Sequence, residues 1–337
     1  MKLENKLILL LGLGLMACSS DEEQPVEKKH SPYVTQVFDY RPAVGQFTNK
    51  LPKYEEGDTQ SSMNQKVLDA IGNNKQGTIT LGGFGGYVVV GFDHTIQNEA
   101  GKRDFRVRGN SFYNKAANPG EPDGGSCEPG IIMVSRDTNG NGKPDDEWFE
   151  IAGSAHVDAT KEPWYKMAKE AGNDVMTHFN YEITYHRPES EPNPKEEEEM
   201  KTYIKWHDNL NNQGYKRKNG FNTQCYYPKW IKENKLKFKG TCLPQNGIDR
   251  SGNGSLYVLY KFTYGYADNE INDKIDSGID IDWAVDGQGK KADLAGIDFI
   301  KIYTGVNQEN GDIGECSTEI TGVEDLHLLG ENLPTRP

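Results

Sequence analysis

Short runs of apolar residues recur along the chain, cut apart by glycine, asparagine and aspartate. Thr78-Ile79-Thr80-Leu81 leads into the glycine cluster Gly82–Gly86, and YVVVGF follows from Tyr87 to Phe92. Phe105-Arg106-Val107-Arg108 alternates apolar and basic side chains, the period of a half-buried strand. The same reading predicts strands at Ile131–Ser135, Trp148–Ile151, Tyr181–Tyr185, Lys235–Lys239, Ser255–Tyr264 and Ile297–Tyr303. Helical periodicity is confined to Ser62–Ile71 and Glu196–Ile204. Many short strands between polar turns predict a mostly β fold, a β-sandwich or jelly roll.

Two stretches break this rhythm. Residues 188–234 run from the acidic, proline-rich PESEPNPKEEEEM to the basic, aromatic YKRKNG and YYPKWIKENK. They are expected to form an irregular, partly helical insertion, either a solvated loop or the rim of a binding site. The other stretch is the N-terminus. Lys2 and Lys6 precede an apolar run, Leu7–Met16, that is too short to span a bilayer and has the order of a secretory signal. Leu15-Met16-Ala17-Cys18 matches a lipobox, which makes residues 1–17 a lipoprotein signal peptide and Cys18 the acylated residue. Polar residues 18–31 read as an acidic tether, with 32–337 as the β-rich ligand-binding domain. Several acyl chains together would hold such a protein on a membrane.

Charge narrows the partners. The net charge of −13 excludes the basic face that nucleic acid or anionic lipid requires. Beyond Cys18 the chain has Cys127, Cys225, Cys242 and Cys316, which an exported protein can pair. Cys225 and Cys242, close in sequence, are the first choice among the possible pairings. None forms a CxxC, so thiolate zinc chemistry is not indicated.

The stretch RDTNGNGKPDDEW holds the clearest chemical signal. Asp137, Asn139 and Asn141 take positions 1, 3 and 5 of a calcium loop, with Gly142 at the sharp bend. Lys143 would offer its carbonyl and Asp145 its carboxylate, but Trp148 stands where an EF-hand has its bidentate glutamate. The spacing predicts a structural Ca2+ between two strands, against the plainer reading of a polar Asn-Gly hairpin. Asp249–Gly254 echoes it weakly and reads as a turn. Asp280 and Asp282 would share one face of a strand, as a carboxylate pair or a solvated edge.

The chain contains no GxSxG, HExxH or P-loop, and no catalytic residue is assigned. Its histidines, His94, His178, His186 and His207 among them, are scattered and read as structural or surface residues. A paired-carboxylate glycosidase leaves no fixed spacing and stays as an alternative. Trp164, Trp206, Tyr226, Tyr227 and Trp230 lie in or near the irregular middle segment. They read either as core beneath a long loop or as rings that bind sugars or flat macrocycles.

Several phrases together carry a resemblance: FDYRP from Phe38, GGFGGYVVVGFDH, FRVRGN, CEPGIIMVSRDTNGNGKPDDEWFEIAGS, NYEITYHRP, YYPKW, SGNGSLYVLY, IDIDWAVD and GIDFIKIYTGVNQ. From about Tyr33 to Leu329 the chain resembles a family of Bacteroidota cell-surface lipoproteins encoded beside TonB-dependent transporters, including those for vitamin B12. Ser19-Ser20-Asp21-Glu22-Glu23 likewise resembles the acidic export signal of that group. The resemblance implies an outer-membrane lipoprotein facing the cell exterior. Such a protein binds a corrinoid and assists its uptake by a TonB-dependent transporter, without catalysis. Trp164, Tyr226, Tyr227 and Trp230 are the candidate ligand-binding residues. A glycan-binding lipoprotein of a saccharide-uptake system is the alternative, and a calcium-dependent glycoside hydrolase comes third.

Overall fold

The computed structural model describes residues 29–113 and 120–336. The expected signal peptide, Cys18 and most of the tether lie outside the described residues.

The mostly β expectation holds. The alternating and apolar runs become strands at Tyr87–Gln97, Phe105–Arg108, Gly130–Ser135, Trp148–Ile151, His178–His186, Lys235–Cys242, Tyr257–Tyr260 and Gly296–Thr304. Among the described residues the strands form five sheets rather than the two facing sheets of a sandwich. The sheets are small, in a four-bladed, propeller-like arrangement. Turn spacing reports how long each strand is but not which strand it pairs with, so the partition into sheets was not readable from it.

The largest sheet has six strands in the order Gln36–Arg41, Tyr87–Gln97, Gly296–Thr304, Gly130–Ser135, Trp148–Ile151 and Ala284–Val285, all antiparallel. Its middle strands bury Val88, Val89 and Val90, Ile131 and Ile132, and Phe299 and Ile300, neighbours that point to opposite faces, so these strands are covered on both sides. A four-stranded sheet, Gln213–Lys216, Ile204–Asp208, His178–His186 and Lys235–Cys242, packs close to it. The glycine cluster makes that approach possible. Gly85 sits at φ +83°, and a Cβ there would lie 2.3 Å from the Phe238 Cβ. Across the same seam the Tyr185 hydroxyl donates to the Phe84 carbonyl at 3.2 Å, and the Thr241 amide donates to the Tyr303 hydroxyl at 2.8 Å.

The first helix runs Gln60–Ile71. Thr59 and Ser62 cap it reciprocally, each backbone N–H donating to the other's hydroxyl. Met63, Val67 and Ile71 follow at one-turn spacing and are its buried residues. The expected helix Glu196–Ile204 is shorter, Glu197–Lys201, because Ile204 opens a strand. Within 188–234 the chain also folds into the hairpin Ile204–Asp208 and Gln213–Lys216, so the insertion adds two strands to a sheet.

The chain's entry into the domain is stitched to three separate places. The Asp325 amide donates to the Pro32 carbonyl at 2.8 Å, Asn73 to Val34 at 2.9 Å, and Thr35 to Gly91 at 3.1 Å. The strand Gln36–Arg41 then pairs along Tyr87–Gln97.

The expected Cys225–Cys242 disulfide does not form, and Cys127, Cys225, Cys242 and Cys316 are all free thiols. Cys225 donates to the Tyr227 carbonyl at 3.4 Å inside the insertion, whereas Cys242 is buried at the end of its strand. Sequence proximity brought neither thiol to the other.

Three carboxyls lie together in the interior. Glu128 accepts from the Ser317 amide at 2.9 Å. Asp268 accepts from the Asn110 and Ser111 amides, both at 2.8 Å, and from the Glu319 amide at 2.9 Å. Glu319 accepts from the Ser317 and Thr80 hydroxyls. Burial raises the pKa of all three, and their mutual repulsion adds to the shift of Glu128 and Glu319.

Candidate functional site

The acidic loop is built as the spacing requires. Gly140 and Gly142 take φ of +71° and +70°, which turn the chain back on itself. Asp137 accepts from the Asn141 amide at 3.1 Å and the Gly142 amide at 2.8 Å. Asn139 accepts from the Asn141 amide at 3.0 Å and Asn141 from the Lys143 amide at 2.7 Å. The Asn139 and Asn141 side-chain amides both donate to Asp145, and Asn139 also reaches Asp146. Those bonds, the Asn139 one foremost, lower the Asp145 pKa. Side-chain oxygens of Asp137, Asn139, Asn141 and Asp145 therefore gather on one exposed loop, with the main chain of Lys143 beside them. This donor set of oxygens alone fits a hard cation. Its flanking strands Gly130–Ser135 and Trp148–Ile151 are paired, so the loop is a hairpin turn of the central sheet.

The four aromatic residues chosen from sequence lie elsewhere in the packing. Trp164, Tyr226, Tyr227 and Trp230 are between 0 and 5 % exposed. The Trp164 indole donates to the Lys261 carbonyl at 2.9 Å and meets Phe262 edge-on. Tyr227 donates to the Glu233 carbonyl at 2.7 Å, with the Arg187 guanidinium 4.0 Å above its ring. Trp230 stacks on Tyr40 and donates to Gln60 at 3.2 Å. Tyr226 meets Tyr203 edge-on and accepts from the Asn219 amide. Tyr226, Tyr227 and Trp230 hold the long insertion down and Trp164 packs against Phe262; none offers an open platform to a ligand.

Asp280 and Asp282 do not share a strand face either. Asp280 caps the short turn Ile281–Trp283 by accepting from the Asp282 amide at 2.8 Å, and Asp282 accepts from Asn98 at 3.0 Å. Asp249 closes its own turn, accepting from the Ser251 and Gly254 amides.

A polar pocket lies at the end of the four-stranded sheet. It measures about 460 Å3 and opens between Trp206, Asp208, Leu210 and Asn212 of the insertion hairpin, Asp174, His178 and Tyr181 of the preceding segment, Cys242–Gln245, and Asn307–Glu309. The hairpin register sets Trp206 opposite Gly214. A Cβ on Gly214 would lie 2.9 Å from the indole, so the glycine leaves space for the ring. Asp208 is buried and ties the hairpin together. Its Oδ1 accepts from the Leu210 and Asn212 amides at 2.9 and 2.7 Å, and its Oδ2 from the Tyr181 hydroxyl at 2.8 Å.

The far wall is a continuous polar chain. Asn307 donates to the Tyr181 hydroxyl at 3.0 Å and accepts from Lys216 at 3.1 Å. The Lys216 ammonium stands 3.0 Å from Glu309 Oε1, yet neither Glu309 oxygen accepts a well-aligned hydrogen bond. Burial raises the Glu309 pKa despite the lysine. Gln245 donates to the Asn307 carbonyl at 3.0 Å, and His178 pairs with Asp174 at 2.7 Å. Burial pushes the Cys242 thiol up to about 12, so the thiol itself stays protonated at neutral pH.

Trp206 and His178 were visible in the sequence as members of scattered sets. Asp174, Lys216, Gln245, Asn307 and Glu309 carried no signal, because sheet pairing alone brings them together across the chain. No protein-family profile matches the chain, and no curated protein sequence matches it.

Proposed function

We propose that the protein is a lipid-anchored outer-membrane protein, facing the cell exterior, that captures a corrinoid and passes it to a TonB-dependent transporter. The family resemblance from Tyr33 to Leu329 supports the lipoprotein, location and transporter parts of this reading. The open pocket beside Trp206 carries the binding part. A corrinoid is large, flat and fringed with amides. Such a ligand needs an aromatic face flanked by amide and carboxylate partners, and Trp206 with Asn212, Gln245, Asn307 and Glu309 offers that set. The pocket receives part of the ligand, with the remainder lying across its mouth.

The pocket's volume favours a second reading, glycan capture. About 460 Å3 suits one or two sugar rings stacked on Trp206, with carboxylates and amides accepting their hydroxyls. In either case the protein binds without turnover, and the Asp137–Asp145 loop holds a structural Ca2+ outside the ligand site.

Isothermal titration separates the readings. Cyanocobalamin gives saturable heat at micromolar protein if the first holds, and Trp206→Ala weakens it by about tenfold or more. Heat from oligosaccharides and none from cyanocobalamin selects the second. Release of reducing sugar from a glycan panel defeats both in favour of a hydrolase.

A further inference from the structure

The chain's entry into the domain brings two histidines and a carboxylate to one point, away from the pocket and the acidic loop. His30 Nδ1 lies 3.3 Å from Asp93 Oδ1, and His94 Nδ1 lies 3.1 Å from the same oxygen. All three potential donor atoms fall within 4.8 Å of one another. Metal bonds of about 2.0–2.1 Å at tetrahedral angles separate neighbouring donor atoms by about 3.3 Å. The two nitrogen–oxygen separations, 3.3 and 3.1 Å, already match the edges of such a tetrahedron.

The far side of His94 is fixed. Its Nε2 lies 2.7 Å from Asp325 Oδ2, a carboxylate that is 2 % exposed. Asp325 Oδ1 already accepts from the His327 and Leu328 amides at 2.8 and 3.1 Å. With a single proton, placed on Nε2 to reach Asp325, His94 turns its Nδ1 lone pair towards Asp93. In that tautomer the His94 Nδ1 lone pair and the Asp93 oxygen stand 3.1 Å apart with no proton between them, a gap that a cation can fill. A carboxylate behind a histidine is also the arrangement that orients an imidazole towards a metal.

We propose that His30, Asp93 and His94 bind a divalent transition metal of the zinc class, which fastens the start of the domain to the Tyr87–Gln97 strand. Two imidazole nitrogens and one carboxylate oxygen suit zinc, nickel, cobalt or copper. They do not suit calcium, which takes oxygen ligands. His30 is partly exposed, so the fourth coordination position opens to water. The metal closes a loop between residues 64 apart in the chain (94 − 30), and binding that favours the folded state raises its stability.

The test uses the full chain stripped with EDTA and then titrated with zinc chloride, followed by calorimetry and thermal melting. Zinc is expected to bind and to raise the melting temperature, and cobalt(II) to give the visible absorption of a four-coordinate centre. His30→Ala lies at an exposed position that leaves the fold intact and should weaken zinc binding by at least about tenfold. Asp93→Asn, which keeps the side-chain shape, should weaken it similarly. Asp325→Asn should cost about 10–100-fold by loosening His94. The control is His207→Ala, because His186 Nε2 and His207 Nδ1 meet at 3.0 Å elsewhere on the surface; it should change nothing. Absence of heat with zinc, nickel and copper overturns the proposal. So does zinc binding that survives His30→Ala or disappears with His207→Ala.

Discussion

The acidic loop from Asp137 to Asp146 and the interior carboxyls Glu128, Asp268 and Glu319 use the same functional group under opposite conditions. On the loop, the side-chain amides of Asn139 and Asn141 lower the Asp145 pKa. In the interior, burial raises the pKa of every member. The loop carboxylates point their charge outward, where a cation can neutralise it. The interior ones accept from backbone amides and hydroxyls, most of them on distant segments, so they act as joints. Acidity alone says little about function; what the oxygens face decides it.

Asp268→Ala should break the comparison most sharply. It leaves three amide donors, those of Asn110, Ser111 and Glu319, without their acceptor. At roughly 1–3 kcal/mol for each buried unsatisfied donor, partly relieved by relaxation, the loss should be roughly 3–5 kcal/mol in urea unfolding. Asp137→Ala in calcium-free buffer should cost less than about 0.5 kcal/mol. Equal losses would abolish the distinction.

A second effect follows from pH. The interior carboxyls, together with Glu315, whose pKa burial raises to about 8, titrate higher in the folded chain than unfolded, where such groups lose protons near pH 4. The folded state therefore binds more protons between those limits. Stability from these groups is complete below about pH 4 and is lost as pH rises towards 8. The melting temperature should fall by several degrees between pH 5 and pH 8.5, and a Glu128→Gln, Glu319→Gln double variant should flatten the slope. A melting temperature that rises over this interval would contradict the burial argument.

Calcium gives the smaller effects. At 2 mM it should stabilise the protein by about 1–2 kcal/mol if the loop binds with the affinity of extracellular calcium modules. EDTA should reverse this, and Asp137→Ala should remove it. Lys143→Ala should leave the calcium response unchanged, because that position contributes a main-chain carbonyl. Loss of the response in that variant would overturn the main-chain role given to Lys143, and a response that survives Asp137→Ala would mean that the loop is not the site.

The strands that alternate or run apolar, such as Phe105–Arg108 and Trp148–Ile151, were legible to the residue. So was the oxygen spacing of the acidic loop, since both depend on neighbours in sequence. The hairpin Ile204–Lys216 was hidden by its charged exposed positions, although Ile204, Trp206 and Asp208 keep the inward period. The aromatic residues of the insertion were visible, but their burial was not, because a ring that binds and a ring that anchors share one composition. The pocket was least legible. Its lining spans Gly172 to Glu309, and only the pairing of His178–His186 with both of its neighbours gathers it.

The stitching of the chain between Pro32 and Arg41 has a mechanical meaning. A domain hung from its N-terminal end takes any pull at that end first. Here the load reaches the contacts with Asp325, Asn73 and Gly91 before the strand Gln36–Arg41. Along that strand the rungs to Tyr87–Gln97 lie across the chain direction, so a pull parallel to the strand strains them together in shear. Were the proposed anchor to pull there, the six-stranded sheet would take the load in shear, while no strand of the four-stranded pocket sheet pairs with this segment.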